Sequence, residues 1–444
     1  MMASLLERAV EAAAGLELDR VPEHVVVHAG HVIADTVGVV CGGSRSSQMV
    51  RLIELDTADA LVHPPGTPVP TGATASTVLS GDLPRTSAAH AALLNATAGT
   101  FLELDEGMRP TGHPAMHVVP AALAVAEGVH ASGAELLQAV LAGYEATSRL
   151  FLGFRLNYPV HPHGHFGAVG AAVAVALLQG VDPIAAARVA STTPLLPVWD
   201  ACYEGATARN TWTGLAAQMG VRAATLVSAG FEGSARTLEV AYGSIAGELV
   251  DADAVVAELD YSQLGITRNY FKLHSACALT HTAIDAVGEL ELGDPDDIIR
   301  VQVETVANNL KIARQPQPNE LSGRFSLPYA VATAIKLRRT DPEAFKFRPD
   351  IAALAKRVKV NAAADLEAKW PLSSPARVSV ETAEGTIIRT VDNPRGHHSR
   401  PLGADELRAK FDHLVGNEHA ALWWPRLTTL HGVADCADVL TGPR

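Results

Sequence analysis

Residues 103–114 carry the side chains best suited to chemistry. The stretch reads Glu103-Leu104-Asp105-Glu106-Gly107-Met108-Arg109-Pro110-Thr111-Gly112-His113-Pro114 and combines three carboxylates with an arginine and a histidine. Each buried charge needs a partner, so such a segment is poorly suited to building a core. Next to an apolar helical run it can instead present proton donors and acceptors. We therefore interpret it as part of a site for proton transfer.

A second segment, His161-Pro162-His163-Gly164-His165-Phe166-Gly167, has the same design and also precedes an apolar helix. The likeness indicates that both segments line one cleft. His113 and His161 suit acid–base roles because imidazole titrates near neutral pH; the structural alternative is that their His-Pro steps only form turns. His163 and His165 alternate, but no neighbouring cysteine or carboxylate completes a ligand set, so no metal site is predicted.

The composition of the 444 residues predicts two to three globular domains. A formal charge of −13 argues against a nucleic-acid partner, and no basic stretch suits a membrane surface. Four widely spaced cysteines predict a reduced, cytoplasmic protein. The glycines at 164, 167 and 170 follow no strand and form no dinucleotide fingerprint, so no cofactor is expected.

Residues 1–264 have the pattern of an all-helical domain, with apolar residues three and four apart. The predicted helices cover residues 1–15, 21–38, 87–103, 118–128, 133–150, 164–179, 183–192 and 214–229. The stretch 63–72 is rich in proline and glycine, which predicts a surface loop.

Residues 265–402 change to a mixed pattern. Period-two alternation predicts strands at 299–306, 358–360, 377–382 and 386–391, the last two joined by a three-residue turn at 383–385. Helical runs at 278–291 and 329–338 complete a smaller α+β domain. Residues 403–444 turn helical again and are expected to rejoin the first domain, which would then be discontinuous.

Together these segments resemble the MmgE/PrpD family along most of the chain. The matching motifs are residues 103–106 with His113-Pro114, 120–124, 161–167, Arg209-Asn210-Thr211-Trp212-Thr213-Gly214, Lys272-Leu273-His274-Ser275-Ala276-Cys277 with His281 and 284–286, Phe325-Ser326-Leu327-Pro328-Tyr329, and Arg400-Pro401-Leu402 before the helix at 406–411.

The resemblance implies a large helical domain, a smaller α+β domain, a cleft between them and a homodimer. It also implies cofactor-free lyase or isomerase chemistry on a small, anionic di- or tricarboxylate. Acid–base positions of the family map onto Glu103, His113, His161, His281 and Tyr329, and a substrate-binding cation maps onto Arg209.

Dehydration of a citrate-like hydroxy acid is our first expectation. Epimerisation of a dicarboxylate, decarboxylation of the cis-aconitate type and a catalytically lapsed binding protein remain alternatives. This chain has Asp105-Glu106-Gly107 where dehydratases and decarboxylases of the family show Asp-Asp-Thr, and Arg209 where decarboxylases show lysine. Arginine clamps a carboxylate and stays protonated, whereas lysine can exchange protons.

Two further sets of residues have open roles. Glu103 and Asp105 either transfer protons or orient and charge-balance His113 and Arg109. Lys272 and His274 lie at the domain junction, where ligand clefts often form. We expect Glu103, Asp105, His113, His161 and Tyr329 to be catalytic, and Arg209, Lys272, His163, His274 and His281 to bind substrate.

Overall fold

The computed structural model describes residues 3–65 and 75–441. Its helices up to the domain junction are α1 (Leu5–Ala14), α2 (Glu23–Gly43), α3 (Ser47–Ala58), α4 (Ala88–Gly99), α5 (Pro114–Val129), α6 (Gly133–Gly153), α7 (His165–Gln179), α8 (Pro183–Thr192), α9 (Asp200–Glu204), α10 (Thr211–Ser228), α11 (Thr237–Val240) and α12 (Ala252–Val256). The later helices are α13 (His281–Gly288), α14 (Glu320–Arg324), α15 (Leu327–Leu337), α16 (Pro349–Ala355), α17 (Ala364–Glu367), α18 (Ala404–Val415), α19 (Asn417–Thr428) and α20 (Asp438–Thr441).

The strands are short except in the second half of the chain. They are β1 (Ala75–Thr77), β2 (Arg85–Ser87), β3 (Gly107–Met108), β4 (Phe154–Leu156), β5 (Gly247–Leu249), β6 (Asn269–Tyr270), β7 (Arg300–Thr305), β8 (Val358–Ala362), β9 (Ala376–Thr382) and β10 (Gly385–Val391). The predicted fold class, mostly helical with a smaller α+β part, is confirmed. Of the predicted loop at 63–72, residues 66–72 lie outside the described residues.

Helices α4, α5, α6, α7 and α10 pack tightly against one another in the helical domain. Their close approach depends on small residues. A Cβ atom at Gly143 of α6 would lie 2.5 Å from the carbonyl oxygen of Gly170 in α7, so neither backbone leaves room for a side chain there. The Ala- and Gly-rich pattern of the sequence is therefore a consequence of helix packing.

Helix α2 is long and apolar enough to span a membrane, but most of it is buried inside the protein. It packs against α4, α18 and α19. Phe411 of α18 and Trp423 of α19 belong to the same hydrophobic core as Val32 and Val39 of α2. The C-terminal helices thus lie on the helical domain, and α2 is a core helix of that domain.

The smaller domain contains a four-stranded sheet in the order β10-β9-β7-β8, in which only β7 and β8 are parallel. Buried side chains alternate along β7 and β9, as the period-two pattern predicts. The turn between β9 and β10 differs from the prediction. Thr382 pairs with Gly385, so the turn contains two residues and Gly385 begins the next strand.

The two polar segments are fixed by different means. Strand β3 pairs with β6, which places Gly107 opposite Tyr270 and Met108 opposite Asn269. This ladder joins the 103–114 segment to the domain junction. The 161–167 segment enters α7 directly, so His165 lies in the first turn of a buried helix and His161 and His163 lie just before it.

Candidate active site

A cavity of about 420 Å³ lies where the two polar segments meet the domain junction. Its wall combines residues of both polar segments with residues from other parts of the chain. The polar residues that line it include Glu103, Arg109, Thr111, His113, Arg155, His161, His163, Tyr270, Lys272, Asn308 and Lys311. The size is suitable for a small organic acid.

Four buried charges form what we call the ion-pair network: Glu103, Asp105, Arg209 and Lys272. The Lys272 ammonium donates to Glu103 Oε2 at 3.1 Å and to Asp105 Oδ1 at 3.0 Å. The Arg209 guanidinium donates to the other Glu103 oxygen. Two acids and two bases cancel, so the network carries no net charge. Glu103 and Asp105 are therefore balanced by Lys272 and Arg209 and not by Arg109.

The backbone at Glu103 is strained. Helix α4 ends at Gly99, four residues before the predicted end, and Glu103 then adopts a φ of 51°. A non-glycine residue in the left-handed region costs about 1–3 kcal/mol and persists there only when its surroundings hold it. The two cations that bind its carboxylate supply that restraint. Strain of this kind is typical of functional sites.

His113 is held by its Nδ1 atom. This nitrogen donates to the Glu106 carbonyl oxygen at 2.6 Å and lies 2.9 Å from Asp105 Oδ2. With two acceptors at Nδ1, the proton of a neutral imidazole resides there, which leaves the Nε2 lone pair free. Because His113 lines the cavity, Nε2 is the atom available as a base. Asp105 would then stabilise the imidazolium that forms.

Opposing effects set the ionisation of the network. Burial alone would raise the pKa of Asp105, but Lys272 and His113 outweigh it and hold that pKa well below its usual value. Burial would likewise lower the pKa of Lys272, yet Asp105 and Glu103 raise it. Both groups therefore stay charged at neutral pH, so Lys272 is a fixed cation and not a proton-transfer group.

The histidines of the second segment are neutral. Burial lowers the pKa of His161 and His163 far below the usual range and that of His165 to about 4. His161 Nδ1 accepts the His163 backbone N–H at 3.2 Å, so its proton is on Nε2. His163 Nδ1 accepts from Arg209 at 3.1 Å. His161 and His163 line the cavity as neutral donors, and His165 donates to the His161 carbonyl oxygen at 2.6 Å.

Two cations on the cavity wall have no carboxylate partner among the described residues. We call them the open cations, Arg109 and Lys311. Arg109 is 8% exposed, and its Nε has no hydrogen-bond partner in the part of the chain that the structure describes. The guanidinium lies over the Tyr270 ring, 4.9 Å from its centroid. Lys311 donates to Asn308 Oδ1 at 2.7 Å. Burial lowers the pKa of both groups.

Five predicted site residues do not line the cavity, namely Asp105, Arg209, His274, His281 and Tyr329. The Tyr329 hydroxyl donates to the Lys346 carbonyl oxygen at 3.3 Å and accepts the Arg348 N–H at 2.9 Å, so it anchors the α+β domain. His274 contacts Asp285 at 3.0 Å, and His281 donates to the Ala276 carbonyl oxygen at 3.0 Å. Backbone groups occupy the polar atoms of Tyr329 and His281, and the side chains of Thr340 and Asp285 occupy those of His274. The roles expected for these three residues stay predictions that the cavity lining does not support.

Asp105, His113 and His163 bring one potential metal-ligand atom each within 4.8 Å of one another. The sequence analysis found no carboxylate near His163 along the chain, but Asp105 lies near it in the folded protein. The protonation of these groups nevertheless suits a network of ion pairs better than a metal site. His113 Nδ1 and His163 Nε2 carry protons in the tautomers described above, and Lys272 lies 3.0 Å from Asp105.

Sequence reasoning missed the open cations and Tyr270. Arg109 lies inside the first motif, but its availability for substrate binding depends on which cations pair with Glu103 and Asp105 in the folded protein. His117 was also missed; it accepts the Gly164 N–H at 2.9 Å and donates to the His113 carbonyl oxygen at 2.8 Å, which links the two segments. Its spacing of four residues from His113 on α5 was the available signal.

The chain belongs to the MmgE/PrpD family, whose members are enzymes acting on carboxylic acids. Residues 7–254 match the MmgE/PrpD N-terminal domain and residues 274–420 match the C-terminal domain. The C-terminal match includes α18, although this helix packs on α2 of the helical domain.

Curated relatives cover nearly the whole chain at low identity. A cis-aconitate decarboxylase from Aspergillus terreus is 24% identical over 446 residues, covering 91% of this chain and 88% of the relative. The Mus musculus cis-aconitate decarboxylase is 23% identical, with 93% and 86% covered. The Homo sapiens cis-aconitate decarboxylase is 25% identical, with 97% and 91% covered.

Proposed function

We propose that the protein removes water from a small citrate-like hydroxy acid by cofactor-free acid–base catalysis. The observation that carries the proposal is Arg109, a buried cation on the cavity wall without a carboxylate partner among the described residues. Burying such a charge is costly unless a partner binds it. A substrate carboxylate is a suitable partner, and an arginine can hold it through two parallel hydrogen bonds.

Lys311 extends the binding surface. It lines the same cavity and has no acidic partner among the described residues, so a second carboxylate of a di- or tricarboxylate can bind it. The open cations also solve an electrostatic problem. The chain has a formal charge of −13, and an anionic substrate needs local positive charge to enter.

His113 is the proposed base. Its Nε2 would take the proton from the carbon next to a bound carboxylate, and Asp105 would stabilise the resulting imidazolium. The negative charge that develops on the substrate carboxylate would be stabilised by the open cations. Neutral His161 would donate its Nε2–H to a substrate oxygen.

Decarboxylation is the second candidate, and the relatives' activity favours it. Each of the three relatives described above is a cis-aconitate decarboxylase. The same cavity would bind the unsaturated acid, and after loss of carbon dioxide a group of the site would protonate the carbon. Arg209 contacts Glu103 and His163 and stays protonated, so it is not a candidate for that proton transfer.

Proton NMR in D2O separates these reactions. Purified protein would be incubated separately with citrate, 2-methylcitrate, cis-aconitate and iminodisuccinate. New vinyl signals from a hydroxy acid support dehydration, and loss of carbon dioxide from cis-aconitate supports the second candidate. Deuterium uptake without net product indicates an epimerase or isomerase. Binding of a substrate without any reaction indicates a lapsed enzyme and contradicts the proposal.

Two variants connect any activity to this site. His113→Gln removes the proposed base and should abolish turnover of the substrate found above. His130→Gln is the matched control, because His130 is exposed on the helical domain and pairs with Asp435 at 2.8 Å. Equal loss in both variants would show that the effect does not come from the cavity.

A further inference from the structure

We propose that Tyr270 is a catalytic residue that donates its phenolic proton to the departing hydroxyl of the substrate. The inference rests on the proposed function and specifies the group that elimination of water requires. Hydroxide is a poor leaving group, so a site that expels it needs a positioned acid. A base alone would give only proton exchange or epimerisation. Tyr270 therefore bears on which reaction of the family the cavity can perform.

Tyr270 has the position that this role requires. It is buried, lines the cavity and comes from β6, two residues before Lys272. Its ring centroid lies 6.4 Å from that of His113. The proposed acid and the proposed base thus contact each other edge-on and form neighbouring parts of the wall, so a substrate in the cavity can reach both. The structure shows no hydrogen bond from the Tyr270 hydroxyl to another described residue.

Gly107 makes room for this hydroxyl. The two residues are paired across the β3–β6 ladder. A Cβ atom added at Gly107 would lie 2.2 Å from the Tyr270 hydroxyl oxygen, far closer than any real contact. Any larger residue at position 107 must therefore displace the ring. The position of the Tyr270 hydroxyl therefore depends on the absence of a side chain at Gly107.

The surrounding charges suit a phenol that gives up its proton transiently. Burial raises the pKa of Tyr270, so the hydroxyl stays protonated in the resting site. Lys272 and Arg109 act in the opposite direction, because both favour the phenolate, whereas Asp105 and Glu106 add to the effect of burial on this pKa. The Arg109 guanidinium over the ring, at 4.9 Å, can stabilise the negative charge that forms on proton transfer.

The step balances without a further reactant. His113 Nε2 takes a proton from carbon, the electron pair forms the new carbon–carbon double bond, and the carbon–oxygen bond breaks. The Tyr270 proton passes to the leaving oxygen, which departs as water. The proton held by His113 then returns through solvent to the Tyr270 phenolate, so both groups regain their starting forms.

The other donors on the wall fit this role less well. Lys272 already donates to Glu103 and Asp105, and it stays charged. His163 is bound on one side by Arg209. His161 is the remaining rival, since its Nε2–H is available, but aromatic rings of Trp199 and Trp212 pack against it at 4.5 and 5.2 Å between centroids.

The test compares Tyr270→Phe with the native protein on citrate and 2-methylcitrate in D2O. We expect Tyr270→Phe to lower kcat for water loss by about 100-fold or more, with KM changed by less than about threefold. Deuterium exchange at the carbon that loses its proton should continue, because His113 remains. Gly107→Ala should give a similar split by displacing the ring. Tyr261→Phe, a surface change near Glu17, is the matched control.

Each outcome supports or overturns the inference. Lost elimination with retained exchange supports it. Full elimination by Tyr270→Phe, or loss of elimination only in His161→Gln, overturns it and leaves the proposed function standing. Native protein that exchanges deuterium but never eliminates water also overturns it, while the acid–base site stands. If the native protein neither exchanges nor eliminates with any substrate, the proposed function and this inference fail together.

Discussion

Apart from Arg155, which pairs with Glu248, four cationic side chains lie at or next to the cavity, and they fall into two pairs. Lys272 and Arg209 belong to the ion-pair network and contact Glu103, so carboxylates of the protein neutralise their charges. Arg109 and Lys311, the open cations, line the cavity without a carboxylate partner among the described residues. Each pair contains one lysine and one arginine, so residue type does not distinguish the two pairs. The contacts of the side chains distinguish them: the pair that contacts Glu103 positions catalytic side chains, and the open cations bind substrate.

The largest expected effect comes from the group that the network positions. His113→Gln should lower kcat by about 100-fold or more, because the base is lost. Asp105→Asn should also lower kcat strongly, since the imidazolium loses its stabilising charge. Steady-state kinetics on the accepted substrate would measure both. Full activity in either variant would mean that the network serves structure alone.

Removing one arginine from each pair is the second test. Arg209→Met leaves Glu103 with one cation fewer in a buried place and should lower the free energy of unfolding by about 3 kcal/mol. Arg109→Met removes an unpaired buried charge, so its free energy of unfolding should stay within about 1 kcal/mol of the native value. Its KM should rise. Chemical denaturation with kinetics on the same samples measures both, and equal destabilisation would remove the contrast.

Glu106 is a buried acid that belongs to no ion pair among the described residues, so it provides the opposite case to the open cations. Burial raises the pKa of Glu106 to about 8, despite hydrogen bonds from the Ala115 N–H and the Tyr144 hydroxyl. An unfolded glutamate titrates near pH 4.5, so between about pH 4.5 and 8 the folded state holds a proton that the unfolded state has lost. The ionisation of Glu106 therefore lowers the free energy of unfolding as pH rises through that window.

Glu106→Gln should remove this dependence. Its stability relative to the native protein should increase between about pH 5 and 8, by up to about 1.4 kcal/mol per pH unit. Urea denaturation of both proteins at several pH values measures the difference, in which the other titrating groups cancel. A difference that stays constant over this range would show that Glu106 is ionised in the folded protein.

The smallest effect concerns exposed apolar side chains, among them Tyr158, Leu196, Ile245 and Val250. Val250 also lines the cavity. We predict that a second copy of the chain covers these side chains in a homodimer. Light scattering should give twice the chain mass, and Ile245→Glu should weaken the dimer. A native monomer at micromolar concentration would contradict this.

The sequence predicts the helical domain well because its signals are local. Apolar spacing and caps such as Ser87 define helices without knowledge of the fold. Helix α4 nevertheless ends at Gly99 and not at residue 103, because Glu103 turns to meet Lys272 and Arg209. That boundary depends on partners more than 100 residues away in the chain.

The same reason limits prediction of the site. His113 and Asp105 are identified from one motif, since they lie close together in sequence. The sequence does not show which of the four cations are paired and which are open, because that depends on which of them contact Glu103 in the folded protein. Tyr329 and His281 have the right chemistry, but local backbone groups occupy their polar atoms.

Binding of an unreactive tricarboxylate tests the central claim most directly. Propane-1,2,3-tricarboxylate would be titrated calorimetrically into the native protein, Arg109→Met and the surface control Arg51→Met. The native Arg51 side chain is exposed and pairs with Glu54. We predict that Arg109→Met weakens binding by about tenfold or more, since a charged hydrogen-bonded contact contributes about 1.5–3 kcal/mol. Arg51→Met should bind as the native protein does. Native-like affinity in a folded Arg109→Met protein would contradict the account, because the open cations would then not be the substrate-binding groups.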